Sequence, residues 1–355
     1  MKKAWLSELD IFRGFAILGV IAIHSFALPP SRVLEYYTNY QQSPFINFIC
    51  QILLDYSRFA VPLFILVSGI ALAYKYCDGM DVKDFYVKRL LKIIPPYIII
   101  SLVSIFSLGL ISQMPSAGTI IFKLLTGSAS GPLWFIIVIL QLYVLFPFLL
   151  AAILMWQRES SFFIIFPVIA LLIQLFWALL RLVLTPVLPF EWVSIIIDRL
   201  FIGMFFYFVC GIYFGLYYKE ILRWIKSLPI FVPIVLSLSL YLAYILLRDN
   251  QVISAFLSIS FIFNTIILII RISLVIAEQD SWLRSFIQYM GTISFGVYLI
   301  HPFFNYIFWI SLSGSSLTPS SFLYYPLMFS LLILSSILTI RILLKIPYHK
   351  WLIGI

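Results

Sequence analysis

The sequence predicts an all-α, polytopic integral membrane protein with about ten transmembrane helices and both termini in the cytoplasm. Of its 355 residues, 63% are hydrophobic and only 10% are charged, and the mean hydropathy is +1.10. These values lie outside the range of soluble domains. Apolar stretches close to the ~20 residues needed to cross a bilayer recur from end to end. No soluble domain fits between them, so residues 1–355 are expected to form a single transmembrane domain.

Ten stretches are apolar and long enough to be predicted as membrane spans. They cover residues 12–29, 46–74, 93–114, 133–156, 162–186, 200–218, 229–247, 251–277, 286–312 and 322–346. The first has no small-residue cleavage site, which a removable signal peptide would need. It is therefore counted as the first crossing.

The distribution of Lys and Arg gives the orientation. Most of the 23 basic residues fall on one side of a ten-span chain, among them Lys2, Lys3 and Arg158, whereas the other side holds Arg32, Lys123, Arg181, Arg199 and Arg248. Cytoplasmic loops carry an excess of Lys and Arg, so the richer side is assigned to the cytosol. Topology thereby explains the net charge of +9, and no soluble basic surface is left for nucleic acid. The cysteines show no metal-binding spacing, and no metal site is expected.

In the first span, LDIFRGFAILGVIAIHSF, Arg13 and His24 interrupt an apolar run. At ~100° and ~1.5 Å per residue, their separation places both on one helix face, ~16 Å apart along the axis. Ionisable groups at membrane depth are costly and indicate either function or a structural pair. In the structural alternative, Arg13 is a topology anchor paired with Asp10, and His24 bonds to a neighbouring helix.

The second span contains Asp55 and Arg58, three residues apart, followed by Pro62 and Ser68. An opposite-charge pair lowers its own cost of insertion, so its role is either wholly structural or part of a polar path. Pro62 frees a backbone carbonyl and predicts a bent helix that lines something polar.

The segment VKRLLKIIPPYI, at the start of the third span, places Arg89 and Lys92 on one side of a helical turn. Such a pair can bind a polyphosphate that enters from the cytosol. Topology and lipid headgroup contact are the alternative explanations for basic residues at a membrane boundary.

Two later spans carry further polar side chains. In the fourth, Trp134 and the membrane-embedded Gln141 share one face. In the ninth, SFGVYLIHPFFNY, a single polar stripe is formed by Ser294, Tyr298, His301 and Asn305. A lipid-facing stripe of this kind would be penalised, so it is expected to face protein or water. It is either a hydrogen-bonded structural stripe or a catalytic one.

These landmarks, in this order, resemble the membrane acyltransferase-three family, whose members O-acylate extracytoplasmic carbohydrates and related acceptors, usually from cytosolic acyl-CoA. The motifs that carry the resemblance are LDIFRGFAILGVIAIH, VPLFILVSG, KRLLKIIPPY, GPLWFIIVILQLYVLFP and SFGVYLIHPF. The stretch SRFAVPLF is similar to the branch that includes enterobacterial common antigen O-acetyltransferases and poly-N-acetylglucosamine-modifying proteins. Lys92 stands where a second Arg is common, and lysine lacks the bidentate fork of arginine.

The resemblance implies a multi-pass enzyme of the plasma or inner membrane, with no tightly bound cofactor. It would move an acyl group, expected to be acetyl, from cytosolic acyl-CoA to a hydroxyl of an extracytoplasmic or lipid-linked glycan. The phosphates of acyl-CoA would dock near Arg13, Arg89 and Lys92, and the thioester would lie near His24.

Under this implication His24 acts either as general base or as a transiently acylated nucleophile. His301 and Tyr298 would orient the acceptor or help to stabilise the oxyanion. The other polar residues are expected to be structural or to line the acceptor path: Asp55, Arg58, Ser68, Gln141, Ser294 and Asn305. The rival hypothesis is a polysaccharide or lipid-linked sugar transporter with Asp55, Arg58, His24 and His301 along a permeation path.

Overall fold

The computed structural model describes residues 6–29, 43–111, 114–156, 165–184, 187, 190–313 and 317–354. Within these ranges every regular element is helical, which confirms the all-α prediction. Lys2, Lys3, Arg32 and Arg158, which were used to predict the orientation, lie outside the described residues.

Sixteen α-helices and two short 3-10 helices make up the described part of the chain. The first half contains α1 (Ser7–Phe26), α2 (Pro44–Ser57), α3 (Ala60–Tyr76), α4 (Val82–Ile111), α5 (Ala117–Thr126), a 3-10 helix (Gly131–Leu133), α6 (Trp134–Trp156) and α7 (Ile165–Leu184). The second half contains α8 (Glu191–Asp198), a 3-10 helix (Phe201–Met204), α9 (Phe205–Leu216), α10 (Tyr218–Ser227), α11 (Phe231–Leu246), α12 (Gln251–Ala277), α13 (Trp282–Thr292), α14 (Ser294–Ser313), α15 (Tyr324–Leu343) and α16 (His349–Ile353).

Nine helical segments of the described chain are long and apolar enough to cross a membrane, or ten if the bent pair α10–α11 forms one crossing. The pair α10–α11 bends by 85°, so the predicted span at 229–247 is a short helix that follows a sharp turn. Both ends of the chain favour the even count. Leu6 and Gly354 line the same cavity, and a Cβ built on Gly354 would lie 2.8 Å from the carbonyl oxygen of Lys92. The first and last described residues therefore lie on the same side of the bundle.

Close helix packing at glycines holds the centre of the bundle together. The helix α3 packs extensively against α9, and α1 packs against α13. A Cβ on Gly211 would lie 2.3 Å from the carbonyl oxygen of Leu66, and one on Gly291 would lie 1.7 Å from that of Asp10. Only glycine allows the backbones to approach so closely, which is a common basis of helix association in membranes.

Three helix boundaries differ from the predicted spans. The second span is interrupted at Arg58 and Phe59, one turn ahead of the predicted bend. Pro62 lies in the first turn of α3, where the backbone N–H groups have no partner within the helix, so the missing N–H of proline costs no hydrogen bond. The third span starts at Val82, so its basic residues lie on the helix itself. The ninth is divided at Ile293 into α13 and α14.

Candidate functional site

A cavity of about 940 Å³ enters the bundle between α1, α3, α4, α6 and α14. Its wall is formed by residues from one end of the bundle to about its middle. The basic mouth consists of Arg13, Lys75, Arg89 and Lys92, and the acidic residues Asp10 and Asp78 lie beside it. The deep end consists of Phe64, Ser68, Phe135, Ser294 and Tyr298.

The cations of the mouth come from three different helices. Arg13 donates to the Asp10 carboxylate over 3.1 Å, so the ion pair expected of a topology anchor exists, and the same side chain also lines the cavity. Lys92 lies within electrostatic reach of Arg89 and Arg13. The Arg89 guanidinium lies over the Tyr143 ring, 5.7 Å from its centroid. Like charges gathered around one opening favour a polyanionic ligand.

Three aromatic rings close the deep end of the cavity. The centroids of the Phe64 and Phe135 rings are 6.1 Å apart, and those of Phe135 and Tyr298 are 5.4 Å apart. The Tyr298 hydroxyl donates to the carbonyl oxygen of Pro132, which fixes the ring against the start of α6. The closed end is therefore narrow and mostly apolar.

Beyond this aromatic end lie two histidines. The Tyr298 ring centroid is 6.1 Å from that of His301, which in turn is 5.1 Å from that of His24. His24 itself does not line the cavity. Asn305 connects the two helices, because its Nδ2 donates to the backbone carbonyl of His24 over 3.3 Å.

Two buried polar atoms beside the histidine pair make no hydrogen bond within the described part of the chain. They are Nε2 of His301 and Oδ1 of Asn305. Nδ1 of His301 lies 3.1 Å from the Val297 carbonyl oxygen. Since a carbonyl only accepts, that nitrogen carries the proton, and Nε2 of the neutral ring is an acceptor. Buried polar atoms without partners are rare in folded proteins and indicate a place for a reacting group or water.

A protein-family model described as an acyltransferase domain matches residues 6–341. The chain belongs to this acyltransferase family. Searches among curated proteins and among solved structures found no match. The chain is therefore a multi-pass membrane acyltransferase.

In this acyltransferase the polar stripe of α14 lies against protein, as its spacing predicts. Ser294, Tyr298, His301 and Asn305 are all buried. The stripe has two halves, because Ser294 and Tyr298 line the cavity whereas His301 and Asn305 face His24.

The Asp55–Arg58 pair lies away from the cavity of the acyltransferase and has partners of its own. Its charged groups are 3.7 Å apart. The Tyr241 hydroxyl donates to Asp55 over 3.2 Å, and Arg58 donates to Tyr244 and Ser258. These contacts link this part of the chain to α11 and α12.

Gln141 holds the chain between α8 and α9. Its Nε2 donates to the carbonyl oxygen of Arg199 over 2.8 Å, and its Oε1 accepts from the backbone N–H of Phe201 over 3.1 Å. The sequence singled out Gln141 but not its partner, since Arg199 was assigned to topology alone. Lys75, Phe64 and Phe135 were also not predicted as site residues, although two of them lie in the motifs VPLFILVSG and GPLWFIIVILQLYVLFP.

Proposed function

We propose that this acyltransferase moves an acyl group, most simply acetyl, from cytosolic acyl-CoA to a hydroxyl of an extracytoplasmic or lipid-linked glycan in the plasma or inner membrane. The observation that carries the proposal is the cavity, which has four cations at its mouth and an aromatic end beside two histidines. A nucleotide thioester matches this arrangement, because its charged phosphates are at one end and its small acyl group is at the other.

The donor is oriented by charge at the mouth. Arg13, Arg89 and Lys92 contact its phosphates, and Lys75 adds a further cation that the sequence did not indicate. Arg89 is held by Tyr143, and Arg13 by Asp10, so both guanidinium groups are placed before the donor binds.

The pantetheine arm extends along the cavity towards Phe64, Phe135 and Tyr298. The acyl group then meets the histidines at the end of the ring series from Tyr298 through His301 to His24. Because this donor enters from one side and the acceptor from the other, CoA itself does not cross the membrane.

Two chemical routes fit the histidine pair. In direct transfer, His24 takes the proton of the acceptor hydroxyl while its oxygen attacks the thioester carbonyl, the C–S bond breaks, and the imidazolium returns the proton to the CoA thiolate. In covalent transfer, a His24 nitrogen attacks the thioester carbonyl first, the C–S bond breaks, and the other ring nitrogen gives its proton to the CoA thiolate. The acceptor hydroxyl then displaces the imidazole from the acyl group and returns a proton to it. In both routes, Nε2 of His301 accepts a hydrogen bond from the acceptor hydroxyl or from His24.

The test uses purified protein in proteoliposomes with radiolabelled acetyl-CoA and a glycan acceptor. We expect His24→Ala to abolish transfer while the protein remains folded, and transfer at the wild-type rate would overturn the proposal. Rapid denaturation at neutral pH without acceptor separates the two routes, because an acyl-imidazole is labile in acid and only covalent transfer leaves label on wild-type protein that His24→Ala lacks. Arg248→Gln, an exposed substitution on a loop outside the cavity, is the matched control and retains full transfer.

The transporter alternative requires Asp55, Arg58, His24 and His301 to line one path. Asp55 and Arg58 instead bond to α11 and α12 and lie outside the lining of the cavity. No observation in the described chain favours transport over acyl transfer.

A further inference from the structure

A second, smaller cavity lies on the other face of the first turn of α6. It has a volume of about 250 Å³ and is lined by Trp134, Arg181, Asp198, Arg199, Gly203 and Met204. Trp134 faces this cavity, whereas its neighbour Phe135 lines the deep end of the large one. Tyr143, nine residues further along α6, lies at the basic mouth, so the small cavity lies towards the opposite side of the bundle. The predicted orientation makes this side extracytoplasmic.

The charges around this cavity do not cancel. Arg181 forms an ion pair with Asp198, whereas Nε of Arg199 is buried and makes no hydrogen bond within the described part of the chain. The Arg199 guanidinium lies over the Trp134 ring, whose centroid is 5.9 Å from Cζ. Arg199 and Arg181 both lie within electrostatic reach of the Asp198 carboxylate. A half-buried guanidinium with a buried, unpartnered N–H is costly, and its planar fork suits a carboxylate or phosphate.

The position of Arg199 is built into the fold. Gln141 binds the backbone at Arg199 and just after it, at the carbonyl oxygen of Arg199 and the N–H of Phe201. Gly203 lines the same cavity as Arg199, and a Cβ built on Gly203 would meet no atom within 4 Å. The cation is therefore held at the edge of a free volume large enough for part of a sugar ring.

The cavity is close to the reacting groups of the proposed enzyme. Trp134 follows Pro132 by two residues, and the Pro132 carbonyl accepts the hydrogen bond of Tyr298. The Tyr298 ring contacts that of His301. A ligand on Trp134 is thus connected to the histidine pair through the Pro132 carbonyl and the Tyr298 ring.

We propose that this outer cavity binds an acidic sugar of the acceptor, one that carries a single negative charge such as a uronate carboxylate. Arg199 contacts the anionic group, and the apolar C–H face of the pyranose packs on Trp134. The excess of one positive charge, from two arginines and one aspartate, matches a singly charged group. The inference rests on the proposed function for the role of this sugar as acceptor.

The experiment measures binding separately from catalysis. Full-length protein in phosphatidylcholine nanodiscs is titrated calorimetrically with a uronate-containing tetrasaccharide and with the same oligosaccharide after reduction of its carboxyl groups. We expect the acidic form to bind at least about tenfold more tightly than its neutral twin, which is the effect of one charge-assisted contact. Arg199→Gln should remove this preference, and Arg199→Lys should retain part of it.

Arg248→Gln is the control, because Arg248 is exposed and lies outside both cavities, and it should keep the full preference. Equal binding of the two oligosaccharides to wild-type protein, or an undiminished preference in folded Arg199→Gln, would overturn the inference. It would also be overturned if Arg199→Gln changed only the amount of anionic phospholipid that copurifies, because the cavity would then be a headgroup site.

Acetyl transfer from acetyl-CoA to the same two oligosaccharides tests the proposed function separately. If wild-type protein binds the acidic sugar more tightly but transfers acetyl to neither sugar, the proposed function is refuted and the binding site is retained. If wild-type protein binds both sugars equally and transfers acetyl to both with equal kcat/KM, only the inference of an acidic-sugar site is refuted.

Discussion

Replacement of Lys92 by Gln tests whether the basic mouth binds the phosphates of acyl-CoA. Lys92 lies at the rim of the large cavity, within electrostatic reach of Arg89 and Arg13. The substitution keeps most of the side-chain length and removes the charge. We expect KM for acetyl-CoA to rise and kcat to stay nearly constant, because the contact exists in both the ground state and the transition state.

The magnitude follows from the position of Lys92. A unit charge ~4 Å from a phosphate contributes ~1 kcal/mol in bulk water and ~4 kcal/mol at an effective dielectric constant of ~20. Lys92 is exposed at the mouth, so we expect ~1–2 kcal/mol, which corresponds to a rise in KM of ~5- to ~30-fold. The effect should shrink as salt is added, since exposed charges are screened.

The assay compares acetyl-CoA with acetyl-pantetheine, which carries the same thioester and no phosphate. Lys92→Gln should weaken binding of acetyl-CoA and leave KM for acetyl-pantetheine unchanged. Lys88→Gln is the matched control, because Lys88 is on the same helix, is paired with Asp84 over 2.6 Å and lies outside the cavity. An equal rise in KM for both substrates, or an equal effect of Lys88→Gln, would refute phosphate binding at Lys92.

Three further substitutions test the deep end and the scaffold. Phe135→Ala should widen the closed end of the cavity and raise the kcat/KM ratio of butyryl-CoA to acetyl-CoA by ~15-fold, since two buried methylenes contribute ~1.6 kcal/mol. Gly291→Ala should reduce the free energy of unfolding by ~3 kcal/mol or more, because its Cβ would lie 1.7 Å from the carbonyl oxygen of Asp10; thermal unfolding in detergent measures this. Gln141→Leu should cost ~1–3 kcal/mol in the same assay, because two partly buried backbone groups lose their partner.

Each of these changes has a control on the same chain. Phe303→Ala removes an exposed ring outside the cavity and should not alter acyl-chain preference. Gly131→Ala places a methyl group where no atom lies within 4 Å, and Gln51→Leu changes an exposed residue; neither should lower stability. An unchanged acyl-chain preference in Phe135→Ala, or wild-type stability of Gly291→Ala or Gln141→Leu, would contradict the corresponding packing.

The polar residues show how far sequence reasoning reached. Helical spacing correctly placed Ser294, Tyr298, His301 and Asn305 on a buried face of α14, because the side chains of one helix keep a fixed angular relation. Spacing could not tell that the stripe divides between the cavity and His24. That division depends on where α1 crosses α14, and the spacing of residues within α14 gives no information about this crossing.

Arg199 is the opposite case. On the sequence it is one of several outer-side basic residues that topology accounts for. Its significance arises from Trp134 and Gln141, more than fifty positions away, and a contact of that separation leaves no local pattern.

By itself, the sequence determined the all-α membrane class, the approximate spans, and the ionisable residues within them. These follow from hydropathy and helix geometry, which are properties of each segment alone. Only the tertiary structure decided that cations from α1, α3 and α4 share one mouth, that Phe64, Phe135 and Tyr298 close its far end, and that His24 meets His301 beyond it. The reason is physical: close approach at positions such as Gly211 and Gly291 sets the distances between helices, and those distances determine which side chains can act on the same ligand.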